Sequence, residues 1–159
     1  MKSTTGNPET KSVNKHYHIE MPDSIILNIR QVRSSDRECL IDGFKRLSPQ
    51  SKRFRFFWAI SRLLPAQVTY FTDIDNKNHC AWGAQDVKKN FCGVGIARYI
   101  RLRETPSTAE FAITIVDDYQ RKGIGTLLFC LLLRSALEND ISLLIGYCHP
   151  ENEDIYGML

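Results

Sequence analysis

The six residues Gln120-Arg121-Lys122-Gly123-Ile124-Gly125 stand between a β-branched run that ends at Val116 and an apolar helical pattern that begins at Ile124. A strand handing over to a helix leaves the first backbone N–H groups of that helix without partners, at the positive end of the helix dipole. Gly123 and Gly125 remove the side chains that would hold an anion away from that backbone. The N–H groups from Arg121 to Thr126 can then converge on a pyrophosphate, with the Arg121 and Lys122 charges at the rim.

Two familiar phosphate patterns do not fit these residues. A P-loop needs Gly-Lys-Ser/Thr after its second glycine, and here Lys122 precedes Gly123 while Thr126 follows Gly125 directly. A dinucleotide fold needs a third glycine where Leu128 stands. Metal spacing is equally thin: His16-x-His18 and the Cys148-His149 pair lack a second ligand pair at finger distance, so no metal is expected.

The elements that must position the turn follow from periodicity. Ile25 to Val32 reads as a first strand, and Asp36 is expected to cap a helix carrying Cys39, Leu40, Ile41, Phe44 and Leu47 at helical spacing. Ser48 and Pro49 restart a helix as N-cap and first residue, with Phe54, Phe57, Trp58 and Ile60 at three- and four-residue steps. That aromatic face reads either as core packing or as a wall of an acceptor site. Pro65 starts a short helix through Val68 and Phe71. His79 to Ala84, Phe91 to Leu102 and Ala109 to Val116 are strands whose short connections favour an antiparallel meander. Gly93 and Gly95 inside the second of these mark a bulge or close packing. After the turn come a helix with Ile124, Leu127, Leu128, Leu131 and Leu132 on one face, an apolar strand from Ile141 to Tyr147 suited to a central position, and a last helix from Glu151. The order is β-α-α-β-β-β-α-β-α, an α/β (α+β) class with a mixed, largely antiparallel sheet flanked by helices.

Composition bounds what this sheet belongs to. With 159 residues, 43% hydrophobic and 25% charged, the chain fits one domain with a sizeable core. Met1 to His18 is polar and reads as a flexible tail, leaving residues 19–159 as the folded unit. A net charge of +3 suits an anionic ligand and falls short of a nucleic-acid signature. The five dispersed cysteines read as thiols of a reducing compartment, hence a cytoplasmic protein. Leu127 to Leu133 is too short to span a bilayer, so no membrane partner is expected.

Gln/Arg-x-x-Gly-x-Gly/Ala after a strand and before an amphipathic helix resembles the cofactor motif of the GNAT acyltransferase superfamily. The preceding meander, the following strand and Asn152 at the next helix start extend the resemblance over roughly Ile25 to Leu159. It implies acetyl-CoA or a related acyl-CoA as co-substrate and a primary amine as acceptor, held by Ile115, Val116, the Gln120–Thr126 turn and Asn152. Leu47 to Ser51, Phe54 to Phe57, Phe71 to Asp75 and Ala109-Glu110-Phe111 look closest to the GNAT domain of bacterial protein lysine acetyltransferases. The acceptor is then a protein lysine or a small molecule.

In that subfamily the residue matching Glu110 is the general base. A lysine amine of pKa about 10.4 costs roughly 4 to 5 kcal/mol to deprotonate at neutral pH, which a base near the thioester offsets. Where GNAT proteins splay two strands, a freed N–H, expected at Val116, would stabilise the charge on the thioester oxygen. Asp117 and Asp118 orient the turn or contact a cationic acceptor. The tyrosine that protonates the leaving thiolate in many GNAT enzymes falls one residue past Leu159, so Tyr156 or Tyr119 could substitute, or a thiol of pKa about 8.5 leaves without a protein acid. The two closing strands of the family are absent from this sequence, and the open sheet edge makes a homodimer an expectation. Two functions follow: an N-acetyltransferase with Glu110 as base, or a catalytically silent acyl-CoA-binding module.

Overall fold

The computed structural model describes residues 15–57, 60–90 and 92–155, without the side chains of Cys92 and Asp154. Six strands form one sheet in chain order: β1 (His16–Glu20), β2 (Ile26–Gln31), β3 (His79–Asp86), β4 (Cys92–Arg101), β5 (Thr108–Ile115) and β6 (Leu143–Gly146). The first five pair antiparallel, as short connections require. β6 returns parallel to β5 after the long crossover helix α4 (Ile124–Glu138), and pairs with it only from Thr108 opposite Leu143 to Phe111 opposite Gly146.

Side chains alternate between the faces of a strand, so the register sorts the sheet into two chemically different surfaces. One carries Leu27, Ile29, Trp82, Ala97 and Tyr99, all at most 1% exposed, and takes α4 through Leu128 and Leu132. Full burial of each of these leucines stabilises the fold by about 1.5–3 kcal/mol. Buried polar groups on this side are satisfied: Trp82 Nε1 donates to Ser135 Oγ at 2.9 Å, and Tyr99 Oη to the Lys77 carbonyl at 3.1 Å. The opposite face carries Arg30, Gln85, Arg98, Glu110 and Thr114. Three shorter helices lie along it: α1 (Arg37–Lys45), α2 (Pro49–Phe56) and α3 (Pro65–Thr72).

Several expectations change. Asp36 stands at the N-cap of α1 without capping it through its side chain, because its carboxylate turns to Arg30 and the Arg33 N–H. The tail does not extend to His18: His16–Glu20 alternates exposed and half-buried residues and pairs with β2, which Tyr17 reinforces by stacking on Trp82 at 5.9 Å. α2 stops at Phe56 because Phe57 turns left-handed (φ 62°) and is half exposed; Phe56 packs on Phe44 in its place. Trp58 lies outside the described residues. The apolar run expected at the centre of the sheet shrinks to four residues, β6, which form the last strand of the described sheet and leave Leu143 exposed. The last helix is represented by a single 3-10 turn, Glu153–Ile155, before the described residues end.

Gly95 shows why β4 needs small residues. A Cβ there would stand 2.6 Å from Ile115 Cδ1 and 3.3 Å from Leu128 Cδ1, so the glycine lets α4 and β5 close on the strand. A register shift between Ala84 and Gln85 sits directly opposite, as expected of a glycine-marked bulge.

Candidate active site

Beyond Phe111 and Gly146 the two parallel strands part, and the gap opens into a groove of about 1170 Å³. Glu110, Ile115, Gln120, Arg121, Gly123, Gly125, Thr126 and Asn152 all line it, so the structure gathers most of the residues expected from the sequence. Ile124 lies outside the lining, its side chain 1% exposed in the core. Lys122 turns its amine to Asp23 at 3.1 Å and lies outside the lining.

The turn takes the shape the glycine pattern calls for. Arg121 and Gly123 are both left-handed, with φ of 57° and 82°, the second being the position where glycine avoids the steric cost. Leu127 N–H donates to the Gly123 carbonyl at 3.0 Å, the first bond of α4. The N–H groups of Gly123, Ile124, Gly125 and Thr126 therefore precede the helical ladder, and no side chain caps this helix. These orphaned donors at the positive helix end, with Gly123, Gly125 and Thr126 on the groove wall, fit a pyrophosphate.

Val116 requires correction. Its N–H is not free: it donates to the Val94 carbonyl of β4 at 2.9 Å, and the residue is buried. Backbone direction alternates along a strand, so even-numbered residues of β5 address β4, and odd-numbered ones address β6. Thr108, whose carbonyl accepts from Leu102 N–H at 2.9 Å, fits the same parity. Past Phe111 the groups that face the gap are those of Ile113 and Ile115, one residue before the expected donor. The Ile115 carbonyl accepts from Gln120 Nε2 at 3.0 Å, which fixes the strand end against the turn.

The roof of the groove is tied down by a seam of polar contacts. Ser48 caps α2, with its hydroxyl accepting from Ser51 N–H at 3.1 Å, and its own N–H donates to Asp117 at 3.0 Å. Ser51 Oγ donates to the same carboxylate at 2.9 Å and accepts from Gln120 Nε2 at 3.2 Å. Burial raises the Asp117 pKa, but the Ser48 and Ser51 hydrogen bonds outweigh it and hold the carboxyl below the usual range. Asp117 thus joins α2 to the end of β5, and its oxygens are engaged. Tyr119 is committed as well: its buried hydroxyl donates to Asp86 at 2.8 Å, which removes it as a donor for a leaving thiolate. Tyr156 lies outside the described residues. On the far side, Phe54 stacks on His149 at 5.3 Å and Arg53 pairs with Glu151, holding the segment that carries Asn152 against α2.

At the other end, Glu110 is exposed on the face shared with Arg98 and Thr114. Arg98 and Arg55 also line the groove, and neither was singled out in the sequence. Arg98 is 4% exposed, covered by Phe71 of α3, a distant partner that the local sequence does not announce. The described residues contain no grouping of His, Cys, Asp and Glu suited to a metal ion, and no helix among them is long and apolar enough to cross a membrane.

No family model matches the chain. It is 34% identical over 127 residues to the acetyltransferase PA5475 of Pseudomonas aeruginosa, covering 78% of this chain and 67% of that one. It is 29% identical over 108 residues to the acetyltransferase Pat of Mycolicibacterium smegmatis, of whose length it spans 32%. Among solved structures, the GNAT domain of S. lividans PAT superposes with a TM-score of 0.83 at 23% identity, over 90% of this chain and 84% of that one. A GNAT-family acetyltransferase from Streptococcus pneumoniae superposes with a TM-score of 0.67 at 20% identity, over 83% and 80%. The orphaned donors at the head of α4 and the parted strands beside them are thus features of a chain that belongs to the GNAT family of N-acetyltransferases.

Proposed function

We propose that this protein transfers the acetyl group of acetyl-CoA to a primary amine, on a protein lysine or a small molecule, with Glu110 as general base. The observation that carries this reading is one groove with two ends. The uncapped start of α4 lies at one end, Glu110 at the other, and the open edge of β5 between them.

Acetyl-CoA would supply an acetyl thioester: the amine nitrogen forms the new C–N bond, and the C–S bond breaks with its electron pair leaving on sulfur. The chain's residues serve each part of that change. Gly123 to Thr126 offer backbone donors to the pyrophosphate. Ile113 and Ile115 present strand groups to an extended arm lying in the gap, and an N–H of this pair can stabilise charge developing on the thioester oxygen. Glu110 accepts the proton that the amine loses; being exposed at the groove, it returns the proton to solvent.

The test follows thiol release from acetyl-CoA with and without amines. Amine-dependent release that falls at least about tenfold in Glu110→Gln, with acetyl-CoA affinity held within a factor of about two, supports the assignment. Acetyl-CoA binding with no amine-dependent release would make the chain a silent acyl-CoA-binding module. Unchanged turnover of the variant across pH would remove Glu110 from the mechanism.

A further inference from the structure

The acceptor end of the groove holds two cations without a counter-charge. Arg98, on β4, is almost wholly buried, and its guanidinium stacks on the Phe71 ring at 4.4 Å. Its polar contacts are the Phe71 carbonyl at 3.3 Å and His79 Nε2 at 3.1 Å, both neutral groups at pH 7. Arg55, from α2, lies over the Phe56 ring at 4.9 Å and is close enough to Arg98 for the two charges to repel. Among the described residues neither arginine has a carboxylate within ion-pair distance. Burial first, and then Arg55, bring the Arg98 pKa down to about 9, which still leaves a cation at neutral pH. Buried charges in proteins are ordinarily paired, and an unpaired guanidinium beside a second one calls for an anion.

Position shows which anion. Arg98 stands opposite Ala112, and Glu110 lies two residues along on the same face, so the two are diagonal neighbours about 7–8 Å apart at the backbone. The pyrophosphate seat begins beyond Val116, four residues or about 13 Å further along β5 from Ala112. The arginines are therefore beside the base and remote from the phosphate seat. Both also line an inner cavity of about 100 Å³ between the sheet and α1, so a small group can enter past them.

We propose that the acceptor is a small amine that also carries a carboxylate, an amino-acid-type molecule, with Arg98 and Arg55 receiving the carboxylate while Glu110 faces the amine. This rests on the acetyl-transfer reading of the groove. The planar fork of a guanidinium matches a carboxylate in two parallel hydrogen bonds, and the anion removes both the desolvation and the repulsion that Arg98 bears alone. Arg55 and Arg98 are specificity residues, not catalytic ones.

The experiment compares α- and ω-amino acids with the same skeletons lacking the carboxylate, such as γ-aminobutyrate with butylamine, in the full chain. Lysine peptides with glutamate or alanine neighbours form a third arm. The expected result is at least a tenfold higher kcat/KM for the free carboxylated acceptors. Arg55→Gln should remove that preference through KM, leaving acetyl-CoA affinity unchanged. Calorimetric titration with succinate, and separately with inorganic phosphate, reads the site without turnover. Succinate should bind the parent chain and bind Arg55→Gln and a folded Arg98→Lys at least fivefold more weakly. Equal rates with and without the carboxylate, a peptide preferred over every free amino acid, phosphate binding more tightly than succinate, or no succinate binding would each overturn the inference. Succinate binding with no amine acetylated would instead overturn the acetyl-transfer reading while leaving the carboxylate site standing.

Discussion

Asp117→Ala should loosen the roof of the groove without unfolding the sheet. The Asp117 carboxylate accepts one bond from Ser48 N–H at 3.0 Å and one from Ser51 Oγ at 2.9 Å. Hydrogen bonds to a charged group contribute about 1.5 kcal/mol each at the low end, hence about 3 kcal/mol together. The carboxylate is only half-buried, so solvent screening brings this to about 2 kcal/mol. In a chain of this size that is a fall in Tm of about 4–8 °C. The pH dependence fixes the cause. The folded pKa lies below the ordinary 3.8, so the stabilisation is present above that value and is lost as pH falls through the lower, folded one. Urea unfolding of parent and variant over a series from pH 7 downward reads it: the gap should be full at pH 7 and begin to shrink once the pH passes below the ordinary 3.8. Because Ser51 and Gln120 share the seam and Gln120 belongs to the acetyl-CoA turn, acetyl-CoA Kd should rise with acceptor KM. A variant within about 0.5 kcal/mol of the parent at pH 7, or a gap that does not shrink on acidification below 3.8, would rule this out.

His79 should set part of the acid limb of stability. Burial, then Arg98, push its pKa down to about 4 against a weaker pull from Asp75, so between about pH 6.5 and 4 the unfolded chain binds a proton that the folded chain refuses. Stability should therefore fall as pH drops across that window, by roughly 1.5 kcal/mol after discounting for the partial exposure of the ring, and a His79→Gln variant followed by thermal melts should show a flatter profile. Gly125→Val should weaken acetyl-CoA binding by at least about tenfold in calorimetry with Tm nearly unchanged, because the added methyls occupy the anion seat on the groove wall; equal affinity would contradict a seat there. Gly123→Ala places a Cβ at φ 82° and should cost about 1–2 kcal/mol by urea unfolding, even though its near neighbour, Met21 Cε at 3.8 Å, is no clash.

The parts of this fold legible in the sequence were those written locally. Ser48 with Pro49 announced the start of α2, the Gly123-x-Gly125 turn announced an uncapped helix, and the period-two runs gave β3, β4 and β5. What escaped depended on partners far along the chain. His16–Glu20 sits in a polar stretch, and it becomes a strand because β2 offers an edge and Trp82 a ring for Tyr17. The Val116 N–H, expected free, instead pairs with Val94, because which side an N–H faces is decided by strand register, and a shift of one reverses it. Arg98 carries no local signal of burial in the sequence, because its cover is Phe71 of α3, 27 residues earlier in the chain. Extending the alternation of β4 and β5 across their register would have placed it on the Glu110 face.

In the proposed function, acetyl-CoA lies along the open edge of β5 with its pyrophosphate at the head of α4. Titrating acetyl-CoA into the 15N-labelled chain and following backbone amides tests it directly. The amides of Gly123, Gly125 and Thr126 should shift together with those of Ile113 or Ile115, while the Val116 amide, bonded to Val94, moves little. Saturable binding that leaves the Gly123–Thr126 amides unmoved would contradict the account.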